Sequence, residues 1–207
     1  MGLTKFRANL RRTRHLVSLD MDLHAAWSVS YGKIRPDLPR WRLFGYLLIT
    51  NHMFPSVVLY RLQGLFYESG MPPVATFISR LNHFLYGVTI GNQVRSTGGL
   101  LIAHGHVVLD GWTMLGHNVH INPFVTLGIV ESSDRPFSLW GPTIGDHVNI
   151  GTGAKLFGKI TVGDHVKIGA NAVVLDDVPP HHTAVGAPAR SFPTKPAEVT
   201  TPADHEA

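Results

Sequence analysis

Residues 144–178 read IGDHVNIGTGAKLFGKITVGDHVKIGANAVVLDDV, and this stretch decides the fold. An aliphatic residue recurs at every sixth position, namely at Ile144, Ile150, Leu156, Val162, Ile168 and Val174. A second apolar residue lies four places after each of these, namely Val148, Ala154, Ile160, Val166, Ala172 and Val178. The two series together define a six-residue repeat.

Neither a helix nor a single flat strand explains a period of six. An α-helix has about 3.6 residues per turn, so the apolar stripe would wander around the cylinder. A flat strand needs strict alternation, which Asp146, Gly158 and Asp164 interrupt. Short strands joined by corners fit the period, with three six-residue faces in each coil. The sequence therefore predicts a mainly β protein built as a parallel β-helix.

The repeat begins near Ile90 and is interrupted before it becomes regular. Ile102 fits the six-residue frame, which then slips by one residue before Leu115. The spacing from Leu127 to Ile144 is not a multiple of six. Residues 129–142 are therefore predicted to leave the coil as a loop, and loops that interrupt a solenoid usually lie at its binding face.

The chain divides into three predicted parts. Residues 1–86 form an N-terminal α-helical region, with a basic helical lead and helices near 43–49, 57–66 and 74–85. Residues 87–192 form the β-helix domain. The tail at 193–207 is polar and rich in proline, which predicts disorder.

The apolar helices allow more than one interpretation. The stretch from Leu43 to Tyr60 is long enough for a membrane span, but Asn51, His52 and the interior Pro55 argue against one. Burial in an oligomer interface and peripheral contact with a membrane surface are the alternatives. Basic side chains would help the latter, namely Arg40, Arg42, Arg61 and Arg80.

Composition excludes several classes of function. Of the 207 residues, 44% are hydrophobic and 15% charged, which indicates a folded chain. The net charge of +4 comes mostly from the N-terminus and is not interleaved with aromatics, so a nucleic-acid groove is disfavoured. The chain has no cysteine, which excludes thiol catalysis and disulfides. The basic start runs into Asp20, Asp22 and His24 rather than a signal peptide, so a cytoplasmic location is expected.

Four segments carry a resemblance to a known family, namely AHG (103–105), VTLG (125–128), IGTGAKLFGKITVG (150–163) and IGANAVVLDDVPPHHTAVGAPAR (168–190). Through them the chain resembles the left-handed β-helix acyltransferases, and among these the serine O-acetyltransferase family. The resemblance implies a left-handed coil and an acetyl-CoA-dependent transferase. It also implies a homotrimer with the active site between neighbouring β-helices, and trimers that pair into hexamers through the N-terminal helices.

The resemblance also implies roles for individual residues. His104 is the expected general base, because a neutral imidazole can take a proton from an attacking hydroxyl near pH 7. The predicted cofactor-binding residues are Gly128, Gly151, Ala154, Lys155, Ala170, Pro188 and Arg190. The predicted substrate-binding residues are His106, Arg135 and Trp140. No metal is expected at this site.

The acceptor side departs from the family pattern. Ala103 stands where the family has an acid beside the base, and Thr89 where it has the acid that orients the imidazole. Asp110 and Glu131 are candidates to replace that acid. Trp140–Gly141 replace an Arg-His pair, although Pro142 is kept. The expected acceptor is therefore a hydroxyl of a serine-like amino acid or of a sugar, since some bacterial cell-surface polysaccharide acetyltransferases resemble the same group.

Two other interpretations remain open from the sequence. Imidazole is a common zinc ligand, so His104, His117 and His120 could form a carbonic-anhydrase-like metal site. Alternatively, loss of both acids near His104 is what a non-catalytic paralogue would show.

Overall fold

A computed structural model describes residues 2–30, 38–130 and 139–194. Four helices come first, namely α1 (Gly2–Ser30), α2 (Arg40–Thr50), α3 (Phe54–Glu68) and α4 (Pro72–Tyr86). The three apolar helices predicted from the sequence are confirmed, each slightly longer than expected. Residues 31–37, between α1 and α2, lie outside the described residues. Of the tail predicted to be disordered at 193–207, Pro193 ends a strand and Thr194 donates its backbone N–H to the carbonyl oxygen of His181, whereas 195–207 lie outside the described residues.

Within the described residues, thirteen short strands follow α4. They are β1 (Val88–Ile90), β2 (Arg95–Ile102), β3 (Val107–Leu109), β4 (Met114–Ile121), β5 (Thr126–Gly128), β6 (Thr143–Ile144), β7 (Asn149–Ile150), β8 (Lys155–Phe157), β9 (Thr161–Val162), β10 (Lys167–Ile168), β11 (Val173–Val174), β12 (His182–Gly186) and β13 (Ala189–Pro193). Pairing is parallel except between β12 and β13. The predicted parallel β-helix is therefore observed.

Both apolar series of the repeat point into the β-helix. Every one of their twelve side chains is buried, and the most exposed, Ile160, retains only 6% of its surface. Equivalent residues stack coil on coil, as Ile121 on Ile150 and Ile150 on Ile168. Each six-residue repeat thus buries two apolar side chains, and burial of this apolar surface stabilises the coil.

Backbone pairing places the corners of successive coils along three edges. The first edge holds corners 103–106, 122–125, 151–154, 169–172 and 185–188. The second edge holds 116–119, 145–148, 163–166 and 179–182. The third edge holds 110–113, 128–130, 139–142 and 157–160. The predicted loop leaves the third edge, and its residues 131–138 lie outside the described residues.

Other elements cover the two ends of the β-helix. At the N-terminal end, Met53, directly before α3, and Val57 and Tyr60 of α3 join the same hydrophobic core as the coils. The amide of Gln63 also donates a hydrogen bond to the carbonyl oxygen of Ile90 (2.8 Å). At the other end β13 pairs antiparallel with β12. These contacts satisfy strand edges that would otherwise remain free to pair with other chains.

A buried ion pair fixes α1 on the β-helix. The guanidinium of Arg61 donates to both carboxylate oxygens of Asp20, at 2.7 and 2.9 Å, with side-chain exposures of 3% and 1%. The same carboxylate accepts the backbone N–H of Leu100 in β2 (2.8 Å). Arg61 also donates to Ser96. One carboxylate therefore joins α1, α3 and β2.

His24 lies one helical turn beyond Asp20 and is 1% exposed. Its ring meets Phe54 edge-on at 5.3 Å, and neither ring nitrogen has a hydrogen-bond partner among the described residues. Burial lowers the pKa of His24 from 6.5 to about 4, so the ring is neutral at pH 7.

This buried imidazole predicts a pH-dependent stability. Between pH 6.5 and pH 4, His24 is protonated in the unfolded chain but neutral in the folded chain. Because protons then bind preferentially to the unfolded state, the free energy of unfolding should fall as pH drops from 6.5 towards 4. We expect a loss of about 2 kcal/mol between pH 7.5 and pH 5 from this group. Urea unfolding at both pH values measures it, with His24→Leu as the variant without a titrating ring. Equal pH dependence in the two proteins would contradict the prediction.

No single helix in the described ranges is long and apolar enough to cross a membrane. Helices α2 and α3 meet the length and composition test only as a pair, and they are bent by 109° relative to each other. The chain turns at residues 51–53, and of the residues that argue against a span, Asn51 and His52 lie in this turn and Pro55 in the first turn of α3.

Candidate active site

His104 lies on the first edge, in the corner that follows β2. Its side chain is exposed and lines an open groove between this corner and the helices. The other lining residues are His52, Met53, His83, Phe84, Leu85, Tyr86, Gly87, Gly105 and His106. Four imidazoles thus share one groove. The sequence does not predict this, because His83 lies in an apolar helix and His52 in a short connection between two others.

Two glycines hold the end of α4 tightly against the His104 corner. A Cβ added at Gly105 would overlap the carbonyl oxygen of Tyr86. Gly87 ends α4 with a left-handed φ of 64°, and a Cβ there would lie 3.2 Å from the backbone nitrogen of His106. The helix end and the histidine corner therefore form one closely packed unit.

His106 is fixed by an aromatic contact. Its φ is 61°, and its ring stacks on Phe124 of the next coil with centroids 5.2 Å apart and planes 5° apart. The ammonium of Lys155 donates to the carbonyl oxygen of Phe124. Predicted substrate-binding and cofactor-binding residues thus meet at one place on the first edge.

The predicted cofactor-binding residues follow the same edge towards the C-terminus. Gly151, Ala154, Ala170 and Pro188 lie in its successive corners. A Cβ at Gly151 would lie 2.7 Å from the backbone nitrogen of Ala170, so the coil stack itself requires glycine. The side chain of Ala154 is buried in the core, which leaves only its backbone for a ligand.

Of the remaining three predicted cofactor-binding residues, Lys155 and Arg190 lie beside this edge, whereas Gly128 lies where β5 reaches the third edge. Lys155 begins β8 directly after the corner, and Arg190 is exposed in β13. Gly128 ends β5 and is buried, and a Cβ there would meet the ring of Phe157 at 3.1 Å. A continuous track of small and basic residues therefore runs away from His104.

Of the predicted substrate-binding residues, His106 lies beside His104, whereas Trp140 lies elsewhere in the same chain. Trp140 is on the third edge, where its ring meets Trp112 edge-on at 4.9 Å and the ammonium of Lys159 at 4.9 Å. Arg135 lies outside the described residues. Within one chain, therefore, Trp140 and His104 are not brought together.

No described acid replaces the missing orienting acid near His104. Asp110 lies on the third edge, where it accepts the backbone N–H of Gly111 (2.7 Å), and Glu131 lies outside the described residues. The expectation for Asp110 is not supported. Instead Thr89 is paired with an imidazole, because its hydroxyl lies 2.9 Å from Nδ1 of His83.

The three histidines of the zinc interpretation are not assembled into a site. His104 is on the first edge, His117 on the second, and His120 packs against Trp27 with ring centroids 4.6 Å apart. Among the described residues no three His, Cys, Asp or Glu side chains are placed to hold a metal ion. The geometry gives no support to that interpretation.

Comparison with known proteins agrees with this architecture. The family model for bacterial transferase hexapeptide (six repeats) matches residues 141–176. The serine acetyltransferase of Helicobacter pylori strain J99 is 39% identical over 166 residues, covering 80% of this chain and 95% of that protein. That of Bacillus pumilus is 34% identical over 153 residues, covering 73% and 69%.

Solved structures show the same relationship in three dimensions. The serine acetyltransferase of Neisseria gonorrhoeae in complex with serine has a TM-score of 0.69 at 31% identity, covering 87% of this chain and 69% of that one. A serine acetyltransferase in complex with CoA has a TM-score of 0.72 at 25% identity, covering 91% and 72%. The left-handed β-helix expected from the resemblance is thereby confirmed. The chain belongs to the serine acetyltransferase family of hexapeptide-repeat transferases, and it is an acyltransferase.

Proposed function

We propose that this protein is an acetyl-CoA-dependent O-acetyltransferase that acetylates a hydroxyl of a small acceptor, with His104 as general base. The observation that carries the proposal is the arrangement of residues along the first edge. It places His104 in an open groove at one end of a track of predicted cofactor-binding residues. A relative solved with CoA supports this choice of acyl donor.

The proposed reaction needs one imidazole and no covalent enzyme intermediate. His104 takes the proton of the acceptor hydroxyl while the oxygen attacks the thioester carbonyl. The tetrahedral intermediate collapses, the C–S bond breaks, and the CoA thiolate receives the proton from the imidazolium. Because the chain has no cysteine, direct transfer is the simplest route.

The acceptor has two candidates. A relative solved with serine supports a serine-like amino acid. The groove supports a sugar hydroxyl, because its lining includes imidazoles and apolar side chains but no Asp, Glu, Lys or Arg among the described residues. A zwitterionic amino acid needs charged partners when it is bound away from water, whereas a neutral sugar does not.

Acetyl-CoA turnover tests both candidates. Release of the CoA thiol is followed with L-serine, L-homoserine, D-glucose and D-galactose as acceptors, and with no acceptor as the blank. Turnover with a hydroxyl acceptor supports the proposal, and the preferred acceptor distinguishes the two candidates. Turnover with none of them would be the result of a non-catalytic paralogue.

A homotrimer would bring the separated residues together, because a neighbour's third edge could supply Trp140 to the first edge of another chain. The exposed face of α4 supports such an interface. Phe77 and Phe84 are 66% and 84% exposed there, while the polar Asn82 is buried and hydrogen-bonded to Ser56. Pairing of trimers into hexamers through the helices, peripheral membrane contact and a cytoplasmic location remain predictions.

Light scattering tests the trimer directly. The wild type should have the mass of three 22.7 kDa chains or a multiple of three. Phe77→Glu should shift the mass towards one chain and lower acetyl transfer in parallel, because a buried charge destabilises an apolar interface. Phe77 is exposed in the single chain, so the variant should still fold. A monomeric wild type would contradict the proposal.

A further inference from the structure

Besides His104, the groove contains His83, whose ring orientation is fixed by a hydrogen bond. Nδ1 of His83 lies 2.9 Å from the hydroxyl of Thr89, so Nε2 is the ring's remaining polar atom. His52 and His104 make no hydrogen bond to any described residue, and His106 is held by stacking on Phe124. Among the four groove imidazoles, His83 is therefore the one oriented by a hydrogen bond within the described part of the chain.

Thr89 orients the ring in either neutral tautomer. If the threonine hydroxyl donates to Nδ1, then Nε2 carries a hydrogen and is a donor. If Nδ1 donates to the hydroxyl, then Nε2 is an acceptor. A hydroxyl group can pair with Nε2 in both cases, because it donates and accepts.

Backbone packing holds the helix end that carries His83 against the corner that carries His104. His83 is in the last turn of α4, and its carbonyl oxygen accepts the N–H of Gly87 (2.8 Å). The chain from Tyr86 to Gly87 packs directly on Gly105 and His106, as described above. Thr89 follows in β1, which pairs with β3 directly after that corner. The two imidazoles are thus carried by one rigid unit.

We propose that His83, oriented by Thr89, binds the acceptor through a hydrogen bond from or to Nε2 and so determines acceptor specificity. This inference rests on the proposed function, in which His104 takes the proton of the reacting hydroxyl. The ligand class is a molecule with a further hydroxyl beside the reacting one, as in a polyol or sugar. His83 holds that hydroxyl and leaves the acyl donor untouched.

Initial rates of CoA thiol release test the inference, measured against the concentrations of acceptor and of acetyl-CoA in turn. The acceptor is D-glucose or D-galactose, whichever is turned over faster, because the inference requires a second hydroxyl beside the reacting one; turnover of L-serine or L-homoserine but of neither sugar would contradict it. His83→Phe keeps the ring volume and removes both nitrogens, and should raise the acceptor KM about five- to tenfold, as expected for one lost hydrogen bond. The acetyl-CoA KM should stay within about twofold, because the inference assigns His83 to the acceptor and not to the acyl donor.

Conservative variants separate binding from structure. His83→Gln places an amide near the position of Nε2 and should recover part of the loss, whereas His83→Asn reaches only the position of Nδ1 and should not. Thr89→Val should give a smaller rise in acceptor KM than His83→Phe. His15→Phe, which replaces an exposed imidazole of α1 outside the groove, is the control and should leave the acceptor KM within about twofold of wild type.

Two further results would overturn the inference while leaving the proposed function intact. One is an unchanged acceptor KM in His83→Phe while His104→Ala is inactive. The other is an equal rise in both KM values together with a lower melting temperature, which would show a structural role. A wild type that turns over no acceptor would instead remove the proposed function and this inference with it.

Discussion

Replacing His104 with alanine is expected to lower kcat for acetyl transfer by about 10²–10⁴-fold, the usual contribution of a general base. The acceptor hydroxyl would then have to lose its proton to water. The exposed imidazole makes no hydrogen bond to a described residue, so its removal should not disturb the fold. The measurement is the rate of CoA thiol release at saturating acetyl-CoA and acceptor.

The matched control is His52→Ala, which removes an exposed imidazole from the same groove. It should keep kcat within about threefold of wild type, since a residue outside the chemistry affects the rate little. Binding of CoA to His104→Ala, followed by calorimetry, should match wild type because the acyl-donor track is unaltered. Unchanged kcat in His104→Ala would show that another group takes the proton, even though the fold remains as described.

The β-helix could be predicted in detail because each six-residue repeat buries its own side chains. Ile144, Ile150 and Ile168 are buried by residues of neighbouring coils that have the same six-residue repeat. The repeat alone therefore predicts which side chains pack together in the folded protein. The interruption between Leu127 and Ile144 was equally readable, because a solenoid tolerates extra residues only outside its coil.

The site was less predictable because it combines a helix, α4, with a corner of the β-helix, and no sequence repeat shows how the two pack together. The pattern in α4 predicts an apolar helix, yet its exposed face carries Phe77 and Phe84 while Asn82 is buried. That inversion, and the approach of His83 to the His104 corner, depend on how α4 docks against β1. The sequence shows that Thr89 replaces an acid of the family pattern. Only the structure shows what this threonine does, because its hydroxyl contacts Nδ1 of His83.

Asp20→Ala is expected to lower the free energy of unfolding by about 3–5 kcal/mol, the usual effect of removing one partner of a buried ion pair. The variant leaves the guanidinium of Arg61, 3% exposed, without its counter-ion. It also leaves the N–H of Leu100 without its acceptor. Urea unfolding followed by tryptophan fluorescence measures the change.

The same helix offers a matched control. Asp22 pairs with Arg40 at 2.9 Å, but the two side chains are 53% and 59% exposed. Asp22→Ala should therefore cost less than about 1 kcal/mol, since water screens exposed pairs. If both variants cost the same, the buried pair does not anchor α1 as inferred.

A double variant separates loss of the pair from exposure of an unpaired charge. Asp20→Ala combined with Arg61→Met removes both charges and should recover part of the loss, because the largest cost is the unpaired buried guanidinium. Leu100 lies in the strand that ends directly before the His104 corner. Asp20→Ala should therefore weaken acetyl transfer as well as stability, while the double variant, without a buried unpaired charge beside β2, should recover both together.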